Sequence, residues 1–191
     1  LVLFMPLQAL AVEALVGYYE DHTGAAVQVA VLKDGKARFD IGDEVYFLCD
    51  GDKVTVVSAY MDDKWTKADF VELTTDAIAE NPAILQKYSR VGVVDTGYTK
   101  EIAGYVGKTF EITVSGTGEV YSINLVEDPD VAKLSEVIMI LFRDWTLPGG
   151  SRDVVEIING KLKAGYGMLS IDREIALKKV DRKVYDATYF E

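Results

Sequence analysis

At 191 residues the chain has the length of one domain and needs no disulfide or metal staple to bury a core. Hydrophobic residues at 49% and charged residues at 27% exclude a disordered chain, and a net charge of −11 disfavours nucleic acid and anionic lipid surfaces as partners. A lone cysteine, Cys49, excludes an intramolecular disulfide, and a lone histidine leaves the common zinc centres without ligands, so no metal and no cofactor is expected.

Taken from the start, Leu1 to Leu7 is apolar with Pro6 near its end, and Ala9-Leu10-Ala11 places small residues at the −3 and −1 positions of a signal-peptidase site. The expectation is a signal peptide remnant over 1–11, lacking its basic start, followed by a single β-rich domain over 12–191. The run is too short to cross a bilayer, and no cysteine follows it to take a lipid, so no stable membrane anchor is expected. The expected location is the periplasm or the outside of a bacterial cell.

Eleven Tyr and seven Phe beside four Pro suit strands, where aromatic side chains pack well on a pleated surface. Asp34-Gly35 and Asp50-Gly51 each separate two apolar runs and supply the positive φ of a tight hairpin. Met61 to Lys64 reads as another reversal, so the first half is a β-meander. Within it Cys49 ends the run Val45-Tyr46-Phe47-Leu48 and is expected in the core. The stretch Thr75 to Tyr88 has roughly helical spacing interrupted by Pro82, which predicts two short helical turns.

Strands are expected again from Val91, with Thr109 to Val114 and Glu119 to Val126 flanking the glycine-bearing loop Ser115 to Gly118. The best helix follows: Asp128 suits the N-cap, Pro129 the first helical position and Asp130 the positive end of the dipole. Val131, Leu134, Val137, Ile138, Leu141, Phe142 and Trp145 form its apolar stripe before Pro148-Gly149-Gly150 ends it. A hairpin at Asn159-Gly160 and two closing strands, Ile175 to Val180 and Tyr185 to Phe190, complete the chain. The expected fold class is α+β, mainly β: a strongly curved antiparallel sheet, an open half-barrel, with a helical lid.

The segments Thr96-Gly97, Ile102-Ala103-Gly104-Tyr105 and Thr109-Phe110-Glu111-Ile112, with the tail Val184 to Glu191, resemble an uncharacterised exported bacterial family. Its proposed fold is like that of the lipoprotein carriers LolA and LolB. The likeness covers the layout of most of the chain but only these stretches in residues. It implies an incomplete barrel with a helical cover able to hold acyl chains, and it fixes no ligand residue.

Catalytic motifs fail one by one. Gly104 to Thr109 ends like a phosphate loop, but Ile102 stands where its first glycine belongs and a strand follows in place of a helix. His22 lies in the turn Glu20 to Gly24 without a partner defined by the sequence, and the Asp pairs at 50, 52 and at 62, 63 occupy turns where Asp is favoured locally. No enzyme is expected. The candidate apolar lining of a binding site is Leu134, Ile138, Leu141, Phe142 and Trp145 on the helix, with Trp65 and Phe70. The expected function is a carrier or chaperone-like protein for a lipid or an acylated protein segment. The alternative is an envelope structural or sensory domain that has a filled core and binds another envelope protein.

Overall fold

The computed structural model describes residues 10–51, 53–60, 64–66, 69, 91–114, 118–144, 160, 164–172 and 174–191, with the backbone alone at 91, 114, 119 and 142–144. The described strands are β1 (Ala11–Asp21), β2 (Ala26–Leu32), β3 (Ala37–Ile41), β4 (Val45–Asp50), β5 (Lys53–Ser58), β6 (Trp65–Thr66), β7 (Val91–Ile102), β8 (Tyr105–Val114), β9 (Glu119–Val126), β10 (Gly167–Ile171) and β11 (Ile175–Asp186). The helix α1 (Pro129–Asp144) follows β9. The expected segments Thr75 to Tyr88 and Val154 to Gly160 lie outside the described residues, apart from Gly160 itself.

The eleven strands form one open sheet, in the order β6-β5-β4-β3-β2-β1-β11-β10-β9-β8-β7, antiparallel throughout. Every neighbour in the sheet is a neighbour in sequence except β1 and β11, so the last strand returns to pair with the first. The sheet curls strongly: β7 and β11 come within 8 Å between Cα atoms although three strands stand between them.

The glycine turns sit where the dipeptides put them, with Gly35 at φ 95 and Gly51 at φ 58, angles that a side chain resists. Asp128 caps α1 through Oδ1, which accepts from the backbone N–H of Asp130 at 3.0 Å and of Val131 at 2.9 Å. The described part of α1 runs to Asp144, and the expected Trp145 and the stop at Pro148-Gly149-Gly150 lie outside the described residues.

One expectation, for the closing strands, needs correction. The closing segment is one long strand, β11, and Ala187–Phe190 is a 3₁₀ turn in place of a second strand. Asp186 stops the sheet by accepting from the Thr188 N–H and hydroxyl. At the other end, the expected processing point between Ala11 and Val12 falls within β1, where Ala11 pairs with Asp186 and the Leu10 carbonyl accepts from the Ala187 N–H.

The two faces of the sheet carry separate apolar clusters. Leu15, Tyr19, Val29, Phe39, Phe110, Ile123 and Leu177 pack on the inner face with Leu134, Val137, Ile138 and Leu141 of α1. Ala14, Val16, Ala30 and Leu32 form a smaller outer cluster, which Phe190 of the 3₁₀ turn covers. The period of two along β1 accounts for this division, since alternate residues point to opposite faces.

Candidate functional site

Apolar rows cross the inner face on both arms of the sheet. Register aligns Phe39, Phe47, Val56 and Trp65 across β3 to β6, and Val93, Ile112 and Tyr121 across β7 to β9. Phe39 and Ile112 are buried, whereas Phe47, Trp65, Val93 and Tyr121 are half-buried towards the two free ends of the sheet. Phe39 and Phe47 meet edge to face, 5.9 Å between centroids, the favoured aromatic geometry.

Helix α1 lies over this face, seated by two glycines. A Cβ on Gly17 would stand 2.9 Å from Leu134 Cδ1, and one on Gly167 would stand 2.4 Å from the backbone nitrogen of Ala132. Only glycine admits so close an approach. Polar ties complete the seat: Lys133 Nζ donates to the Leu32 carbonyl at 2.8 Å, and Arg182 pairs with Asp130 at 2.9 Å.

Ser135, fully buried, carries the last tie. Its hydroxyl donates to the Val131 carbonyl at 2.7 Å and accepts from the Met168 N–H at 2.7 Å. That N–H belongs to β10, which pairs with β11 only at Ser170↔Ala176 and Ile171↔Ile175. Beyond those two pairs β10 and β11 diverge, and on that side the first half of α1 touches β10 where β11 does not, while β9 pairs along its other edge. The Tyr19 hydroxyl, also buried, has no hydrogen-bond partner among the described residues, and burial pushes its phenol far above the ordinary range.

Of the expected lining residues, Leu134, Ile138 and Leu141 come together on the inner face, each buried by the protein's own side chains. Trp65 stands apart from them on β6, beside Val56. Phe70, Trp145 and the side chain of Phe142 lie outside the described residues. Sequence reasoning missed Gly17, Gly167 and Ser135, although Gly17 inside the apolar run Leu15 to Tyr19 carried the signal of a close backbone approach.

The outer face holds two polar clefts. One, of about 380 Å³, has a hydrogen-bonded row for its floor: Thr109 Oγ1 donates to Asn124 Oδ1 at 2.8 Å, and Asn124 Nδ2 donates to Ser170 Oγ at 2.9 Å. The other, of about 480 Å³, is built around Arg38, whose guanidinium lies 3.6 Å from the centroid of the Tyr46 ring and 4.1 Å from that of Tyr189 while pairing with Asp40. His22 sits in an exposed turn at the rim of the first cleft. Cys49 is buried on the inner face.

Among the described residues no group of three or more His, Cys, Asp or Glu is placed to hold a metal ion, and no helix is long and apolar enough to cross a membrane. No protein-family model, curated protein or solved structure matches the chain.

Proposed function

We propose that the protein is a non-catalytic carrier that holds an acyl chain, free or attached to a protein segment, against the inner face of its open sheet. The observation that carries this reading is the run of apolar residues on the inner surface reaching the half-buried Phe47 and Trp65 on one arm and Val93 and Tyr121 on the other. Inner positions Val27, Val29 and Val31 on β2, Phe39 on β3, Cys49 on β4 and Val54 on β5 add no charge that a hydrocarbon would have to desolvate. The likeness to exported LolA-like proteins points the same way, as does the lack of a recognisable nucleophile or metal motif in the sequence. Holding and releasing an acyl chain needs apolar area and no bond making, at about 25 cal/mol per Å² of surface removed from water.

A second reading, an envelope interaction domain with a filled core, is favoured by the close fit of Leu134 on Gly17, which leaves no room for even a methyl group between them. Native mass spectrometry of protein recovered from a bacterial envelope fraction separates the two. The carrier reading expects an acyl adduct that Trp65→Asp removes while the far-ultraviolet spectrum is kept. A bare mass accompanied by a protein partner would support the filled-core reading instead.

A further inference from the structure

We infer that the two arms of the sheet, β11 with β1 to β6 and β7 to β10, part from one another along the β10–β11 seam, with α1 as the wedge that keys it shut. The inference deepens the carrier reading and takes its purpose, access to the inner face, from that reading. The motion itself follows from the joint.

The joint is unequal to the strands it connects. β11 pairs with β1 through eleven residue pairs from Ala11↔Asp186 to Asp21↔Ile175, but with β10 through only two. On one side the row Thr109, Asn124, Ser170 binds β8, β9 and β10 by side-chain hydrogen bonds into a stiff unit. The row stops at the seam, because the residue opposite Ser170 is Ala176, whose side chain offers neither donor nor acceptor. The outer cleft spans the same place, with Asn124 and Ser170 on one bank and Glu20 and Ala176 on the other, so a hollow lies behind the pivot.

Above the pivot the strands separate and helix contacts replace strand pairing. Met168 gives its N–H to Ser135, and Gly167 lies against the helix backbone at Val131 and Ala132. To the other arm the helix is tied by Leu134 on Gly17, Lys133 on the Leu32 carbonyl and Asp130 with Arg182. Each arm therefore holds one side of α1. Release of either side leaves the arms joined by the two-pair pivot and by the close approach of β7 to β11. A junction with so few backbone hydrogen bonds opens at lower free energy than the ladders flanking it.

Native-state amide exchange of the full chain over a range of urea, with and without palmitate, tests this. The amides of Gly167, Met168 and Leu169 are expected to exchange through an opening with a weak urea dependence, while those of Leu15 and Val16, in a strand paired on both sides, exchange only on global unfolding. Ser135→Ala should accelerate Gly167 and Leu169, neither of which bonds Ser135 in the structure, by about tenfold relative to Leu15, and Ser135→Thr should restore the slower rate. A single exchange isotherm shared by seam and arm amides, in the wild type and in Ser135→Ala, would overturn the inference. So would palmitate that binds by mass yet leaves the seam amides at their unliganded rates. A separate seam opening in a protein that takes no palmitate would uphold the seam and count only against the carrier.

Discussion

Leu134 of the helix meets the bare backbone of Gly17 on β1, and the Cβ that any other residue would add there falls 2.9 Å from Leu134 Cδ1 and 2.7 Å from Tyr19 Cε2. Both neighbours are buried, so neither has free space to retreat into. Gly17→Ala is expected to cost about 1–3 kcal/mol, the usual range for overpacking a filled core. Adding Leu134→Val should recover part of this, leaving the Tyr19 contact. Urea denaturation of the two single variants and the double variant measures the coupling. Additive losses would show that helix and strand are not pressed together at this point.

Much of the fold is legible in the sequence because local chemistry decides it. Asp34-Gly35 and Asp50-Gly51 need positive φ at glycine, and Asp128-Pro129 begins a helix whatever surrounds it. The pairing of β1 with β11 is not local. It joins residues at opposite ends of the chain, and nothing in Ala11 to Asp21 names its partner. The site is legible to a lesser degree. Helical spacing brings Leu134, Ile138 and Leu141 together, yet burial places them in the core, because a stripe that fits a ligand wall also fits the inside of a sheet. Ser135 was hidden for a related reason: a serine between Leu134 and Glu136 on a helix reads as a polar-face residue until a strand N–H turned towards the helix takes its oxygen.

The cap at Asp128 gives a simple test of the helix start. Its carboxylate satisfies two N–H groups that have no partner within the helix, so Asp128→Ala is expected to lower stability by about 1 kcal/mol, within the 0.5–2 kcal/mol span of such caps. Asp128→Asn keeps an acceptor in place and should restore most of it. Equal losses in the two variants, followed by circular dichroism in urea, would show that hydrogen bonding at the cap contributes little.

Leu141→Asp is a poor probe of binding and a good one of packing. The side chain is only 7% exposed, and a carboxylate there has no basic partner among the residues of the core cluster. The cost, about 3–5 kcal/mol if the loss resembles that of an unpaired buried charge, should unfold much of the protein. Trp65→Asp, half-buried on the short strand β6, should leave the thermal midpoint nearly unchanged. A Leu141→Asp protein with the wild-type midpoint would mean that α1 is held far more loosely than its seat implies.

Alkaline pH should weaken the outer face. Burial pushes the Tyr185 phenol up to about 12, and Tyr189 is raised further by burial and by the hydrogen bond its hydroxyl donates to Asp40. For a group whose pKa is raised on folding, the stabilisation is complete below the unfolded value, near 10 for tyrosine, and is lost as pH climbs through the folded value. Stability measured by urea should therefore fall from pH 10 towards pH 12 as the unfolded chain ionises first. Tyr185→Phe removes a hydroxyl without a hydrogen-bond partner among the described residues, so it should reduce this loss and cost little at neutral pH. A Tyr185→Phe protein with the wild-type alkaline profile would place the loss elsewhere.

Arg38 fastens the 3₁₀ turn to the sheet, and its geometry makes lysine an inadequate substitute. The guanidinium stacks between Tyr46 and Tyr189, donates through Nε to Asp40 at 2.8 Å and through Nη1 to the Tyr189 carbonyl at 3.1 Å. An ammonium keeps the charge but cannot lie flat between two rings or direct two donors at fixed angles. Arg38→Lys is expected to cost about 1–3 kcal/mol and to loosen the turn, which covers Val16 and Leu32 with Phe190. The Asp186–Thr188 bonds and the Tyr185–Tyr189 stack, 4.4 Å between centroids, remain, so the turn should fray without leaving the sheet. Faster exchange of the Ala187 amide, which bonds the Leu10 carbonyl, would report that fraying. Unchanged exchange there, with stability lost only globally, would mean that Arg38 braces β3 and β4 and not the turn.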